Sequence, residues 1–491
     1  MSLTATLARS PSKTIVVVVL LSLAAATFSA GFHDAGEHFD TLEAASERLA
    51  GSGLESLSDN FQLKRQSWLL PGVAALVMKI GGANADPFCT ALILRIIAAL
   101  IGAAAVLALL VAADGWFSDT NLRRTVGLTL MLLWYLPFLN ARYSAEGLGR
   151  SFFVLGFVPA ILSVQRGQPL KWSTALMSGL LLALAFESDY WTFFLIAPAL
   201  TWFFTYAKNS LKSVGLLKLG IVLGLCLVAL VNQWGYGHWW FPAAPFFYQT
   251  LFLKPIAWSP PWGYLTWLIV ATPPVWGVTL ILGTIFAWFL KPRLSLTWAT
   301  VCYIAVLFVF GAREGRELFL IASIVPLLIF LGVQEAVQRR PELRVSQATR
   351  LLWFVLACTN VIALIYMTFT PTRREIALYQ SVWNARPDTI HSLTTNPYEI
   401  EGKLVRFYRR PDLKMVSGLQ QYDLEQKVKA GAPFFVTAPL FEEGGMYLRH
   451  NTDCRGIDIG FKSWILGTDF ERLTRRLWRP WGLFECAFRK N

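Results

Sequence analysis

TIVVVVLLSLAAATFSA at Thr14–Ala30, followed at once by FHDAGEHFDTLEAASER at Phe32–Arg48, decides how the rest of the chain is read. The first stretch is apolar behind Arg9 and Lys13, which fits either a cleaved signal peptide or a first membrane span. An uncleaved span is the reading taken here, because many further apolar runs follow and an acidic motif begins immediately. That motif sets His33, Asp34, Glu37, His38, Asp40 and Glu43 within about three helical turns. From Gly36 onward, helical spacing puts Glu37, Asp40, Glu43 and Glu47 on one face and Phe39, Leu42, Ala45 and Leu49 on the other. Such a helix is expected to lie on a membrane surface with its acids in water.

Composition agrees with a membrane chain. Of 491 residues, 55% are hydrophobic and 20 are tryptophan, and the mean hydropathy of +0.48 is too high for a soluble enzyme. The net charge of +13 does not point to nucleic acid, since the basic residues are scattered between apolar runs with little aromatic interleaving. They read as topology signals.

Further apolar runs lie near 90–112, 125–139, 148–164, 172–186, 191–206, 216–231, 264–290, 296–310, 318–333 and 351–369. With the first run, about eleven spans are expected. Successive loops must alternate sides, and Arg9 and Lys13, Arg123 and Arg124, Arg166 and Lys171, Lys208, Lys212 and Lys218, Lys291 and Arg293, and Arg339, Arg340, Arg344 and Arg350 all fall on one side, the cytoplasm. The other side receives residues 32–89, 140–147, 187–190, 232–263 and 311–317. Within the long first external loop, Trp68–Ile80 is apolar but interrupted by Pro71 and Lys79, which predicts a re-entrant or interfacial helix. Residues 1–369 thus form a transmembrane module.

The tail, 370–491, is external by the same alternation and changes in character. KMVSG, PFFVTA and GLFECAF read as strands, and 422–430 and 470–478 as helices, which makes a small extracytoplasmic α/β domain. The six cysteines show no metal-ligand spacing. Cys454 and Cys486 form a disulfide if the tail is in an oxidising compartment; two buried thiols are the other reading. The chain end FRKN carries no obvious retention signal, so a bacterial inner membrane is expected, with the N-terminus cytoplasmic and the tail periplasmic.

The external loops hold the candidate site residues. The histidines and acids of 33–43 sit beside a span end, where ionisable groups are expensive unless used, although a solvated acidic face would look the same. Arg65 beside Lys64 suits a lipid phosphate at headgroup depth, or ordinary anchoring. Arg142 and Glu146, four residues apart, read as a site pair or a helix-end ion pair. Tyr236, His238 and Trp239 lie in an aromatic loop that suits a carbohydrate face or a membrane-interface belt. Arg313, Glu314, Arg316 and Glu317 form an anion clamp or neutralise one another, and Glu187 and Asp189 read as helix-end charges.

Four stretches resemble the lipid-linked mannosyltransferases of the Alg9, Alg12 and PIG-B group, polytopic enzymes of the GT-C architecture. EHFDTLE at Glu37–Glu43 is similar to that family's HPDEHFQ, and RQSWLLP at Arg65–Pro71 to its RSxLxP. GYGHWWFPAAPFFYQ at Gly235–Gln249 resembles FYGxWxxxPxNFxxYN, and AREGRELFLIASIVPLL at Ala312–Leu328 resembles HKExRFxxPxxPLL. The departures are specific. The family's acid, its usual base, falls on Gly36, so the role passes to Glu37 or to Asp34, and Ala312 and Leu318 stand in place of histidine and phenylalanine.

The resemblance implies an inverting transfer of a hexose, mannose in that family, from a polyprenyl-phosphate sugar to an acceptor glycan or glycolipid, with a carboxylate as general base. No cofactor is required by this scheme, and a divalent metal is not excluded. Membrane lipids, the lipid-linked donor and the acceptor are the partners; nucleic acid is not. Transfer of a pentose, or transfer to a protein, is the alternative within the same architecture. A transporter or a non-catalytic membrane protein is the other class; a transporter calls for ionisable groups near the bilayer middle, whereas here the charges gather in the external loops and the spans are mostly uncharged, Arg95 being the main exception.

Overall fold

The computed structural model describes residues 11–487 apart from 52–56, 83–85, 118, 208–210, 254–261, 311–314, 341–346, 371–374, 394–395, 401–402, 419, 421–422, 424–425, 428–432, 440–442, 451–453 and 459–480. The chain divides into two compact units, one of residues 1–29, 44–83 and 92–370, the other of residues 30–43, 84–91 and 371–491.

The first unit is helical. Pro87–Trp116, Ala145–Arg166, Leu211–Tyr236 and Arg350–Phe369 are each long and apolar enough to cross a membrane. Gly315–Ile321 and Val325–Arg339 meet that test only together, and they are bent by 61°. Shorter apolar helices lie at Lys13–Phe28, Leu69–Gly81, Trp172–Ser188, Val275–Leu290 and Ser295–Phe310. Breaks explain why fewer full-length spans are described than hydropathy leads one to expect. The run at 125–139 stops at Leu133 and resumes as Leu136–Asn140, with proline in its first turn. The run at 264–290 is two helices, Gly263–Ala271 and Pro274–Leu290, parted at Thr272 and Pro273. A proline in a first turn pre-sets the new helix, and it disfavours helical backbone in the residue before it.

Glycines set one close approach. Gly220 and Gly224, four apart on Leu211–Tyr236, face Trp172–Ser188, where a side chain on Gly220 would strike the Leu176 carbonyl. This is the small-residue packing that lets helix backbones meet in a membrane. The two helices run parallel, so Glu187 at the end of one comes level with Asn232 near the end of the other.

Among the described residues, the second unit holds a five-stranded mixed sheet. Its strands are β1 (Thr389–Ser392), β4 (Lys414–Ser417), β5 (Phe434–Pro439), β6 (Cys454–Asp458) and β7 (Trp481–Cys486); β2 (Glu399–Ile400) and β3 (Lys403–Leu404) pair separately. The order is β4-β1-β5-β7-β6, parallel across β4, β1 and β5 and antiparallel across β5, β7 and β6. The strands read at KMVSG, PFFVTA and GLFECAF correspond to β4, β5 and β7, while β1 and β6 were not expected from the sequence. The helices expected at 422–430 and 470–478 fall largely or wholly outside the described residues. Cys454 and Cys486 are joined, S–S 2.01 Å, across neighbouring strands.

Part of the stretch expected as the first external loop, residues 30–43 and 84–91, belongs to this second unit. Phe32, Ala35 and Phe39 are buried with Ile376, Tyr379, Tyr398 and Tyr408 in one core. The apolar face of the Ala35–Leu49 helix, expected on lipid, is instead buried at Phe39, Leu42 and Ala45 and exposed at Leu49.

Candidate functional site

Two of the sequence motifs meet in the first unit. Trp68 of RQSWLLP is fully buried, and its ring fills the space where Gly235 of GYGHWWF has no Cβ. The Trp68 backbone N–H donates to Asn232 Oδ1 at 2.8 Å, Tyr236 Oη to the Gln66 carbonyl at 2.6 Å, and Trp240 Nε1 to the Lys64 carbonyl at 2.9 Å. Lys64 Nζ lies 2.9 Å from His238 Nε2, and His238 Nδ1 lies 3.0 Å from the Tyr236 carbonyl. Tyr236 and His238 thus tie the two loops together. Trp239 projects outward at 60% exposure, and Arg65 is half-buried.

Acids and arginines gather where several helices end. Glu146, in the first turn of Ala145–Arg166, faces Arg316 at 3.7 Å. Asp189 caps the turn Tyr190–Thr192, accepting from the Trp191 N–H at 2.9 Å. Gly149 admits this turn: a Cβ there would meet Thr192 and Asp189 at 3.1 and 3.3 Å and Leu320 at 3.4 Å. Burial pushes the Asp189 carboxyl up, and the nearby charges of Glu146 and Glu317 push it further, while the Trp191 N–H and Arg316 pull it back. Glu317 is buried, accepts from the Tyr264 hydroxyl, and offers its backbone carbonyl to Tyr303 Oη at 2.6 Å.

Arginines with little water lie close by in sequence. Arg142 is 2% exposed, donates to Ser29 Oγ at 3.0 Å and stacks 4.3 Å over the Phe138 ring. Burial, then the charge of Arg95, holds its guanidinium below the usual range. Arg150, 1% exposed, donates to Asn140 Oδ1 at 2.7 Å.

Beside the acids lies an apolar cavity of about 380 Å³. Tyr135, Phe138, Trp267 and Phe308 supply much of its aromatic wall, and Tyr264 and Leu318 place the Glu317 pair at its edge. Gly315 lets the Trp267 ring pack on the Gly315–Ile321 segment, which fixes that edge.

In the second unit, the opening motif is ordered by its own acids. Asp34 Oδ1 accepts from the Glu37 N–H at 2.6 Å, an N-terminal cap for the helix. Glu37 is 9% exposed and lies 3.7 Å from His33 Nε2. His38 Nε2 lies 3.1 Å from Tyr408 Oη, and its ring stacks on Phe32. Glu43 accepts from the backbone N–H groups of Arg406 at 2.6 Å and Phe407 at 3.2 Å, so this acid, expected in water, is spent on a loop. Burial raises its carboxyl despite those bonds, and the charge of Asp40, one turn away, adds to the rise.

Of the residues expected at a site, Glu146 and Arg316 are brought together, and Lys64 is brought to His238. Arg313 and Glu314 lie outside the described residues. In the sequence, Asp189 and Glu187 read as helix-end charges and Glu317 as one member of the Arg and Glu turn at 311–317, while Tyr264 carries no signal. The signal available was an acid in each short turn between apolar runs, at 146, 187, 189 and 317.

No family model matches the sequence, and no curated protein matches it. Among solved structures, the chain is similar to the Archaeoglobus fulgidus oligosaccharyltransferase tethered with an acceptor peptide, at TM-score 0.49 and 10% identity over 88% of this chain and 69% of that one. The same oligosaccharyltransferase in complex with Zn and sulfate gives 0.47 and 12%, over 89% and 69%. ArnT from Cupriavidus metallidurans bound to undecaprenyl phosphate gives 0.49 and 11%, over 96% and 97%. At such identities a likeness says nothing of substrate.

Proposed function

We propose that the protein is a membrane glycosyltransferase of the GT-C type. It would move a hexose, mannose by the motif resemblance, from a polyprenyl-phosphate sugar to an acceptor glycan or glycolipid on the extracytoplasmic face, with inversion. One observation carries the reading: an apolar cavity whose edge is the Tyr264–Glu317 pair, with Arg316 adjoining it in sequence and facing Glu146. An isoprenoid chain asks for an apolar slot, and its phosphate asks for a cation at the end of that slot.

In the proposed reaction an acceptor hydroxyl attacks the anomeric carbon, its proton passes to a carboxylate, and the bond from that carbon to the phosphate oxygen breaks. The lipid phosphate leaves with the electron pair. Glu37 is assigned as the base: it is nearly buried beside His33, whereas Asp34 already spends one oxygen on the helix cap. Such a base contributes about a hundred- to ten-thousandfold. Arg316 is assigned to the charge growing on the leaving phosphate, where fixed cations contribute most. The scheme requires no metal, and activity that is lost with a chelator would count against it.

The test incubates purified protein with polyprenyl-phosphate mannose and a panel of glycan and glycolipid acceptors, and follows mass gain by one hexose. Gain only with a pentose donor or a protein acceptor would replace the sugar or acceptor assignment. No gain with any donor would sink the reading.

A further inference from the structure

A second, larger cavity of about 840 Å³ lies among the helices Thr120–Leu132, Val325–Arg339 and Gln347–Phe369. Its lining changes along its length. Asn121, Gln338 and Arg350 stand at one end; Leu128, Leu132 and Val361 stand at the other. Asn360 bounds the inner end, donating to the Leu132 carbonyl at 2.8 Å and accepting from the Trp134 N–H at 3.1 Å. From Arg350 to Val361 the helix rises about 16 Å, roughly half of a ~30 Å hydrocarbon core. The cavity is thus one leaflet deep, polar at its mouth and apolar within.

The charge at the mouth is one-sided. Asp119 spends its carboxylate on its own helix, accepting from the Asn121 N–H at 2.8 Å. Glu335 is held by Lys291 at 2.6 Å and Arg339 at 2.9 Å. Arg124, Arg340 and Arg350, at the same helix ends, have no acidic partner among the described residues. The concentration of basic residues assigns this end to the cytoplasm. Basic pockets between spans on that side suit anionic lipid headgroups.

We propose that this cavity binds one acyl chain of an anionic phospholipid from the cytoplasmic leaflet, its phosphate at Arg350. A zwitterionic headgroup would bring an ammonium to Arg350, with Arg124 and Arg340 on the neighbouring helix ends. A polyprenyl chain would run past the Asn360 closure at mid-bilayer. The site does not depend on the transfer reaction, and binding can be read without it.

The test reconstitutes the full chain in bilayers of phosphatidylethanolamine with a minority of phosphatidylglycerol, extracts it in mild detergent and weighs it intact with retained lipid. One phosphatidylglycerol per chain is expected. Ala357→Trp, on an exposed helix position that lines the cavity, should lose it. Arg350→Gln should lower the preference for phosphatidylglycerol about fivefold. Retention by Ala357→Trp at the wild-type level would overturn the proposal, as would equal retention of both lipids by the wild type or recovery of a polyprenyl phosphate instead. If Ala357→Trp does not fold, the lipid preference of Arg350→Gln decides alone, and an unchanged preference overturns the site.

Discussion

The Tyr264 hydroxyl donates to the buried carboxylate of Glu317, fifty-three residues further along the chain. Tyr264→Phe keeps the ring and removes the donor. Leaving a buried acceptor unsatisfied costs about 1–3 kcal/mol, more for a charged one. The expected outcome is a lower melting temperature in detergent; an unchanged one would show that Glu317 takes its support elsewhere.

Glu37→Gln should leave the protein folded and membrane-inserted while lowering kcat by about a hundred- to ten-thousandfold. Asp34→Asn keeps a capping oxygen and should retain much of the activity, with the cap at 2.6 Å from the Glu37 N–H preserved. Full turnover by Glu37→Gln would remove that carboxylate from the mechanism.

Arg316→Ala removes the cation that faces Glu146 at 3.7 Å. Donor KM should rise, and Arg316→Lys should recover part of it, since a point charge replaces the planar fork. Donor kinetics identical to wild type would make Arg316 a purely structural partner of Glu146.

Glu43 gives the second unit a pH signature. Its carboxyl, raised chiefly by burial, has a folded value above the ordinary 4.5. A group shifted in that direction adds stability that is fully present below its unfolded value and is lost as the pH rises through the folded one. Glu43→Gln keeps an acceptor for the Arg406 and Phe407 N–H groups and cannot ionise. Proteolysis of the second unit across that window should therefore depend on pH less steeply in the variant, and parallel profiles would refute the assignment.

The cross-link between Cys454 and Cys486 closes a separation of 32 residues. Replacing both with serine should cost about 2–4 kcal/mol. In unreduced, unfolded protein these two cysteines should resist maleimide while Cys89, Cys226, Cys302 and Cys358 react. Labelling of all six without reductant would deny the bond.

Hydropathy made the helical first unit legible, because a run such as 90–112 has no other stable place than a membrane or a deep core. It could not show the bends. Thr272 and Pro273 divide a run that is apolar on both sides, so only the proline hinted at the break. The short strands of the second unit were half-legible: β5 is rich in β-formers, while β1, TIHS, is too brief to announce itself. At the candidate site, Glu146 and Arg316 were picked out because each stands in a loop of mixed charge. Asp189 was not, because a helix cap and an acid crowded by other acids look alike until Gly149 and Glu146 are seen beside it. The same ambiguity hid the cap role of Asp34.

The bonds from Arg406 and Phe407 to Glu43 join residues 363 and 364 positions apart. At about 5–20 residues per second, a ribosome needs roughly 20–70 s to cover that distance. Throughout that interval Phe32, Ala35 and Phe39 have been made while Tyr379, Tyr398 and Tyr408, their later core neighbours, do not all exist. The nascent chain must keep an apolar helix face waiting until almost every span has been threaded. Truncation anywhere before Tyr408 therefore leaves the beginning of the protein, and not only its end, unfinished.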